Sequence, residues 1–211
     1  MNNVSKNVLG GKSVVPSAFK IGEILLTNHE GEEVDIQNIV VKTIITESVY
    51  SNTLVCKLSI RDENNLLQDF SLVGQEKVQI KMVSRTGNDD KKINLTFYIT
   101  EYPLYGRGRN ERVQAWSVSG ISEHAYFSQF KKISRSVNGV TSDAIDNIIS
   151  SDLKCDKLII GDKPITTFQG IINTQTPLSA VEWLKKKNEK LGIYIYPPPL
   201  FGNLLGEFLE N

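Results

Sequence analysis

The sequence predicts a β-rich α+β protein, with an antiparallel β-barrel or sandwich over residues 19–120 and a smaller mixed α/β segment over 121–211. Three observations predict it. Apolar residues recur at every second position in successive short runs set at hairpin spacing. The run from Ile39 to Thr46 is almost entirely β-branched, which favours a pleated surface. From Gly120 onward the period changes, and apolar residues recur at helical spacing behind capping residues.

Taken in order, residues 1–18 read as a flexible arm. They are polar and small, with a Gly10-Gly11 pair and nothing to bury. Ile21, Ile24, Leu25 and Leu26 make a first strand, and Asn28-His29-Glu30-Gly31 the turn that ends it. Val34 and Ile36 alternate with Asp35, and the β-branched run 39–46 follows as a buried strand. After a break at 48–52, Leu54, Cys56, Leu58 and Ile60 alternate with Val55, Lys57 and Ser59. Asp62 to Asn65 read as a turn, and Leu66, Leu67 and Phe70 as a short helical plug. Gly74 resets the chain before Val78, Ile80 and Met82. A polar hairpin tip at 84–92 leads into Ile93, Leu95, Phe97 and Ile99. The Gly106 to Asn110 loop precedes a strand with Trp116 and Val118 on one face and Val113, Ala115, Ser117 and Ser119 on the other. Residues 19–120 thus hold about six strands, as expected of an antiparallel barrel or sandwich.

Beyond Gly120, Ser122 is positioned to cap a short helix through Phe130, and Ile133 to Val137 form a strand. Thr141 or Ser142 caps a helix whose inner face carries Ala144, Ile145, Ile148, Ile149 and Leu153. Thr176-Pro177 opens a second helix as N-cap and first residue. Its inner face is Ala180, Val181, Leu184 and Leu191, and Gly192 stops it. Ile193 and Ile195 alternate with Tyr194 and Tyr196 until Pro197-Pro198-Pro199 blocks further pairing.

Composition bounds the function. A chain of 211 residues buries roughly 70% of its unfolded surface and needs neither disulfide nor metal to fold. Lys+Arg and Asp+Glu are both 24, so no global charge draws the chain to nucleic acid or to an acidic membrane. Two distant cysteines make no disulfide framework, and Cys56 reads as a buried thiol. No apolar stretch reaches the length of a membrane span, and the amino-terminal residues lack a signal-peptide core.

Few constellations suggest chemistry. Gly11-Lys12-Ser13 ends like a phosphate-binding loop, but Lys6 stands where the earlier glycine is needed, and strand and helix flanks are missing. Neither histidine, His29 nor His124, sits at metal-ligand spacing, and His124 reads as making ordinary surface hydrogen bonds. No Gly-x-Ser-x-Gly elbow is present. The expectation is a protein that is not an enzyme, with no catalytic residue, no cofactor and no metal. Candidate interaction residues are Arg107, Arg109 and Arg112, in a glycine-rich loop that reads as a solvated hairpin tip, an intersubunit contact or an anion site, together with Glu47 and Tyr50. Glu47 reads as a structural or bulge carboxylate between two strands. Lys185, Lys186 and Lys187 read as the wet end of an amphipathic helix. Trp116 and Trp183 read as anchors of the two cores.

Several stretches, in their order, carry a resemblance. They are Ile44-Ile45-Thr46-Glu47-Ser48-Val49-Tyr50, then Leu58-Ser59-Ile60-Arg61-Asp62-Glu63-Asn64-Asn65-Leu66-Leu67, then Leu72-Val73-Gly74-Gln75-Glu76-Lys77-Val78-Gln79-Ile80. Ile133-Ser134-Arg135-Ser136-Val137-Asn138-Gly139 follows, and last Thr176-Pro177-Leu178-Ser179-Ala180-Val181-Glu182-Trp183-Leu184. From about Phe19 to Tyr196 the chain resembles the baseplate hub proteins of contractile phage tails, relatives of type VI secretion spike hubs. The resemblance implies a tube-type β-barrel over 19–120, with 121–211 as the first part of a domain inserted between two barrels. It implies a homo-oligomer, specifically a trimer, meeting the tail tube protein, the central spike protein and baseplate wedge proteins. Neither sequence-specific nucleic-acid binding nor membrane insertion is implied. The place implied is the virion tail baseplate, assembled in the host cytoplasm. Hubs of this family run well beyond 211 residues and carry a second barrel, so the expectation is a split or truncated version or a smaller relative. A ligand- or glycan-binding β-module, and a hydrolase assembled from distant residues, are the alternatives from other classes.

Overall fold

The computed structural model describes residues 19–48, 51–63, 65–70, 72–84, 91–102, 106–107, 114–155 and 167–187. Its first half is one antiparallel sheet of eight strands. These are β1 (Phe19–Thr27), β2 (Glu33–Asp35), β3 (Val40–Thr46), β4 (Val55–Asp62), β5 (Lys77–Ser84), β6 (Lys91–Glu101), β7 (Gly106–Arg107) and β8 (Gln114–Ser122). The order across the sheet is β2-β1-β5-β6-β8-β4-β3, with β7 pairing β8 alone. A four-residue helix, α1 (Leu66–Asp69), follows β4 and lays Leu66 and Phe70 against the core.

Of the barrel expectation, the described residues show the curled antiparallel sheet. No ladder joins β2 to β3, the two ends of the order, among the described residues. The chain itself spans the gap. Residues 33–46 pair with β1 through β2 (Leu26↔Val34) and with β4 through β3 (Ile45↔Cys56). Between them Ile36 turns into the core, its N–H donating to the Ile24 carbonyl at 2.9 Å. The inner face of the curl is the apolar set the period-two reading picked out, including Ile24, Ile80, Phe97, Trp116, Val118 and Leu58. Each such fully buried side chain contributes about 1.5–3 kcal/mol.

Four details depart from the sequence expectations. The β-branched strand β3 is only half-buried, because a bulge pairs Val40 with Ile60 and Lys42 with Ser59 and leaves Val41 between them unpaired and 71% exposed. Asp62 is not in a turn. It ends β4 inside the core and accepts a hydrogen bond from Trp116 Nε1 at 3.4 Å. Gly106 and Arg107 form not a tip but a short strand, paired with Ala115 and Gln114. The described residues of Phe19–Ser122 hold eight strands where about six were expected.

The second half pairs β9 (Ile133–Val140) with β10 (Thr167–Gln175) in an antiparallel ribbon. The helices α2 (Glu123–Phe130), α3 (Thr141–Asn147) and α4 (Pro177–Lys187) accompany it, and α3 runs on into a π-helical turn, Ile148–Asp152. A separate apolar cluster forms from Ile133, Val137 and Ile172 of the ribbon, Ile145, Ile148 and Ile149, and Ala180, Val181 and Leu184 of α4. Trp116 lies within the first core. Trp183 is half-buried at the margin of the second, edge-on to Phe168 with ring centroids 5.3 Å apart. Thr176 caps α4 as expected, its Oγ1 accepting the Ser179 N–H at 3.4 Å. The other two caps do not form. Ser122 precedes α2 without a side-chain cap bond, and Thr141 and Ser142 lie buried within the first turn of α3 behind Val140.

Polar bonds tie the second half together, and one of them reaches the first. Ser128 Oγ accepts the Leu178 N–H at 3.1 Å, joining α2 to α4. Lys185 Nζ donates to Asn52 Oδ1 at 3.5 Å. Lys185 therefore differs from the exposed Lys186 and Lys187, and burial holds its ammonium below its ordinary range. Asp152 receives Lys131 at 2.8 Å and also pairs with Arg135. Among the described residues no helix is long and apolar enough to cross a membrane.

Candidate interaction surface

The sequence candidates are dispersed. Arg107 lies in β7 beside Gln114, at the start of β8. Glu47 follows β3, whose last residue Thr46 is level with Val55 and so with Ile121, near the end of β8. The two therefore sit at opposite ends of the sheet. Tyr50, Arg109 and Arg112 lie outside the described residues, as do the hairpin tip at 85–90 and the segments 1–18 and 188–211. Glu47 is half-buried, with Oε2 enclosed and without a hydrogen-bond partner, and burial raises its carboxyl above the usual range. No group of three or more His, Cys, Asp or Glu side chains is placed to hold a metal among the described residues.

His124 is not the surface residue expected. Its Nε2 is enclosed without a partner, and burial lowers its imidazole from the ordinary 6.5. The unfolded chain thus takes up this proton first. The His124 contribution to stability is complete above about pH 6.5 and falls as pH drops from there toward the lower folded value. Glu47 acts in the opposite sense, losing stability as pH rises above 4.5. The comparison that isolates the histidine is therefore with a variant. His124→Gln is expected to show a smaller drop in urea midpoint between pH 7.5 and pH 5 than the parent chain. Equal drops would remove the histidine from the account.

Among the described residues, large apolar side chains exposed to solvent include Val73, Tyr102 and Ile171 and two further groups. One is on the outer side of β3, where Val41 is 71% and Ile44 40% exposed, with Lys42 beside them and Lys57 as the cross-strand partner of Ile44. The other surrounds α2. The Tyr98 ring on the outer side of β6 stacks on Tyr126, with centroids 4.5 Å apart and planes 8° apart. Phe127 lies edge-on to Tyr98 at 5.2 Å, and Phe130 edge-on to Tyr126 at 5.0 Å. Tyr126 is buried, while Phe127 and Phe130 are 48% and 67% exposed. Burial raises the Tyr98 phenol, and the Glu123 carboxylate adds to that. Burial likewise raises Tyr126, with Glu76 adding.

Neither patch was identified from the sequence. The α2 patch had a signal in Tyr126, Phe127 and Phe130, three aromatics in eight helical residues that one buried stripe does not absorb. The β3 patch had none, because a bulge decides which way Val41 points.

No family model matches the chain, and no curated protein matches it. Solved structures do. The chain is similar to the tail protein from Neisseria meningitidis MC58 at 12% identity and a TM-score of 0.51, over 79% of this chain and 45% of that one. Likenesses with lower TM-scores include the 43 kDa tail protein of prophage MuSo2 from Shewanella oneidensis, at 16% identity and 0.49, over 78% and 49% of the two chains. A Francisella PdpA-VgrG complex is matched at 14% identity and 0.41, over 90% and 34%. The chain spans less than half the length of each of these proteins. At such identity a TM-score just above one half means a shared fold. The arrangement of curled sheet and α/β unit is one found within a longer bacterial tail protein.

Proposed function

We propose that this chain is a structural component of a phage-type contractile tail, a baseplate hub subunit that links the tail tube to the central spike by assembling with copies of itself. The observation that carries the reading is the curled antiparallel sheet with its appended α/β unit, a fold held in common with a tail protein over 79% of this chain. Two exposed apolar patches on the outer surface support it, since a subunit whose task is to join neighbours needs sticky faces where a monomer keeps polar ones. In this reading residues 19–120 are a tube-like domain and 121–211 the start of a domain set between two such tubes. The partners are further copies in a trimer, the tail tube protein, the central spike protein and the baseplate wedge proteins. Arg107, Arg109, Arg112, Glu47 and Tyr50 are contact residues, and the chain acts by position, without turnover.

Light scattering tests this. The expected result is a mass three times that of the chain, alone or on mixing with tube and spike proteins. A chain that stays monomeric and binds neither overturns the proposal.

A further inference from the structure

We propose that residues 201–209 of this chain cover the aromatic face formed by Tyr98, Phe127 and Phe130. Phe127 and Phe130 are 48% and 67% exposed, and the Tyr98 ring lies beside Phe127, stacked on the buried Tyr126. A cluster of rings open to water on this scale marks a contact site. The sequence supplies an occupant. Phe201, Leu204, Leu205, Phe208 and Leu209 fall at steps of three and four, the spacing that a helix gathers into one stripe. Gly202, Asn203, Gly206, Glu207 and Glu210 fill the other side. The two glycines weaken such a helix standing alone, so the stripe takes its order from the surface it packs on.

Charge agrees with this occupant. Lys77, Lys131, Lys132 and Glu123 border the aromatic face. Asp152 holds Lys131, which leaves Lys77 and Lys132 against Glu123. From Leu191 to Asn211 the chain has two glutamates, Glu207 and Glu210, and neither lysine nor arginine. An apolar stripe with acidic flanks therefore suits an aromatic face with a mainly basic rim. Reach permits the contact as well. The first turn of α4 lies against α2, where the Leu178 N–H meets Ser128 Oγ. From there α4 runs 11 residues, roughly 16 Å. Residues 188–200 separate α4 from Phe201, and stretched they span about 45 Å, more than the return needs. The β3 patch is a poorer seat, since its bulge offers the two aliphatic side chains Val41 and Ile44 and no ring. The contact stands apart from the assembly reading. Where that reading holds, a neighbour that takes the aromatic face first displaces 201–209.

Amide hydrogen exchange in the full chain, resolved by mass spectrometry, tests this. Amides of 201–209 are expected to exchange at least about 10-fold more slowly than a free peptide of the same sequence, whatever the protein concentration. Phe127→Ser combined with Phe130→Ser is expected to abolish that protection, while amides of β4, β5 and β6 keep theirs and report an intact fold. Leu205→Asp, made on the segment itself, is expected to release it too and to increase binding of an apolar dye to the freed face. Val41→Ser combined with Ile44→Ser is expected to change neither readout. Four results would overturn the inference: a parent chain without protection at 201–209, protection that survives loss of both phenylalanines, protection lost through the β3 variant instead, or protection that fades on dilution, which would make the occupant a second copy. None of them turns on the mass of the assembly, so the assembly reading stands or falls separately.

Discussion

Replacing Gly120 with valine is expected to cost about 3 kcal/mol or more, a large part of the roughly 5–15 kcal/mol that holds a domain folded. Gly120 pairs with Cys56 of β4 on one side and with Ile99 of β6 on the other, next to the bulge that shifts the register between Ile99 and Glu101. A Cβ placed there would lie 2.8 Å from the Tyr98 carbonyl oxygen and 3.2 Å from its carbon. Both are backbone atoms of a central strand, so no rotamer change relieves the clash. Either β6 moves away from β8 and weakens that ladder, or the bulge is lost and Glu101 and Tyr102 change face. Alanine brings the same Cβ and should cost most of the same penalty, with valine adding its branch. The control is Gly22→Ala in β1. There the added Cβ meets only the Lys81 carbonyl oxygen at 3.6 Å, an ordinary contact. Urea unfolding of the three variants checks the pair of statements. A Gly120→Ala variant as stable as Gly22→Ala would mean that β6 and β8 do not approach as closely as described.

How much of this was legible in the sequence depended on where the information resides. The inward faces of β4, β5 and β6 were legible because a sheet covered on one side writes its burial as strict alternation, as Leu54, Cys56, Leu58 and Ile60 do. The α4 start was legible because Thr176 and Pro177 act within one turn of their own position. Strand β10 was not. Its Gly170-Ile171-Ile172-Asn173 stretch has no alternation, since Ile172 is buried while the adjacent Ile171 is 68% exposed. Asp62 looked like a turn residue because four polar residues follow Arg61. Only the register that brings Trp116 opposite Ile60 reveals its partner. The same holds for the surface. Tyr98 and Phe127 are far apart in sequence, and their contact depends on α2 folding back beside β6. Arg107 and Glu47 looked equally eligible as contact residues, and pairing alone puts them at opposite ends of β8.

Glu76→Ala is expected to cost about 3 kcal/mol, and Glu76→Gln about 1 kcal/mol, the difference being the acceptor the glutamine keeps. Glu76 is 1% exposed. Its Oε1 accepts the Val73 N–H at 2.6 Å and the Gly74 N–H at 2.8 Å. It holds the turn that delivers the chain into β5, a turn with Gly74 at φ +111° and Gln75 at φ +72°. A non-glycine residue in that region carries a penalty of about 1–2 kcal/mol, so the turn needs an anchor. Hydrogen bonds to a charged acceptor supply about 1.5–3 kcal/mol each, and alanine removes both. Glutamine retains an oxygen for the two amides and replaces Oε2, which is enclosed without a partner, with a neutral group. A second readout separates charge from geometry. The Glu76 carboxylate adds to the burial that raises the Tyr126 phenol, so removing the charge should lower the pH at which Tyr126 ionises in both variants. Only alanine should lower the urea midpoint strongly. If glutamine is as damaging as alanine while the tyrosine titration shifts equally in both, the negative charge itself anchors the turn, and acceptor geometry does not.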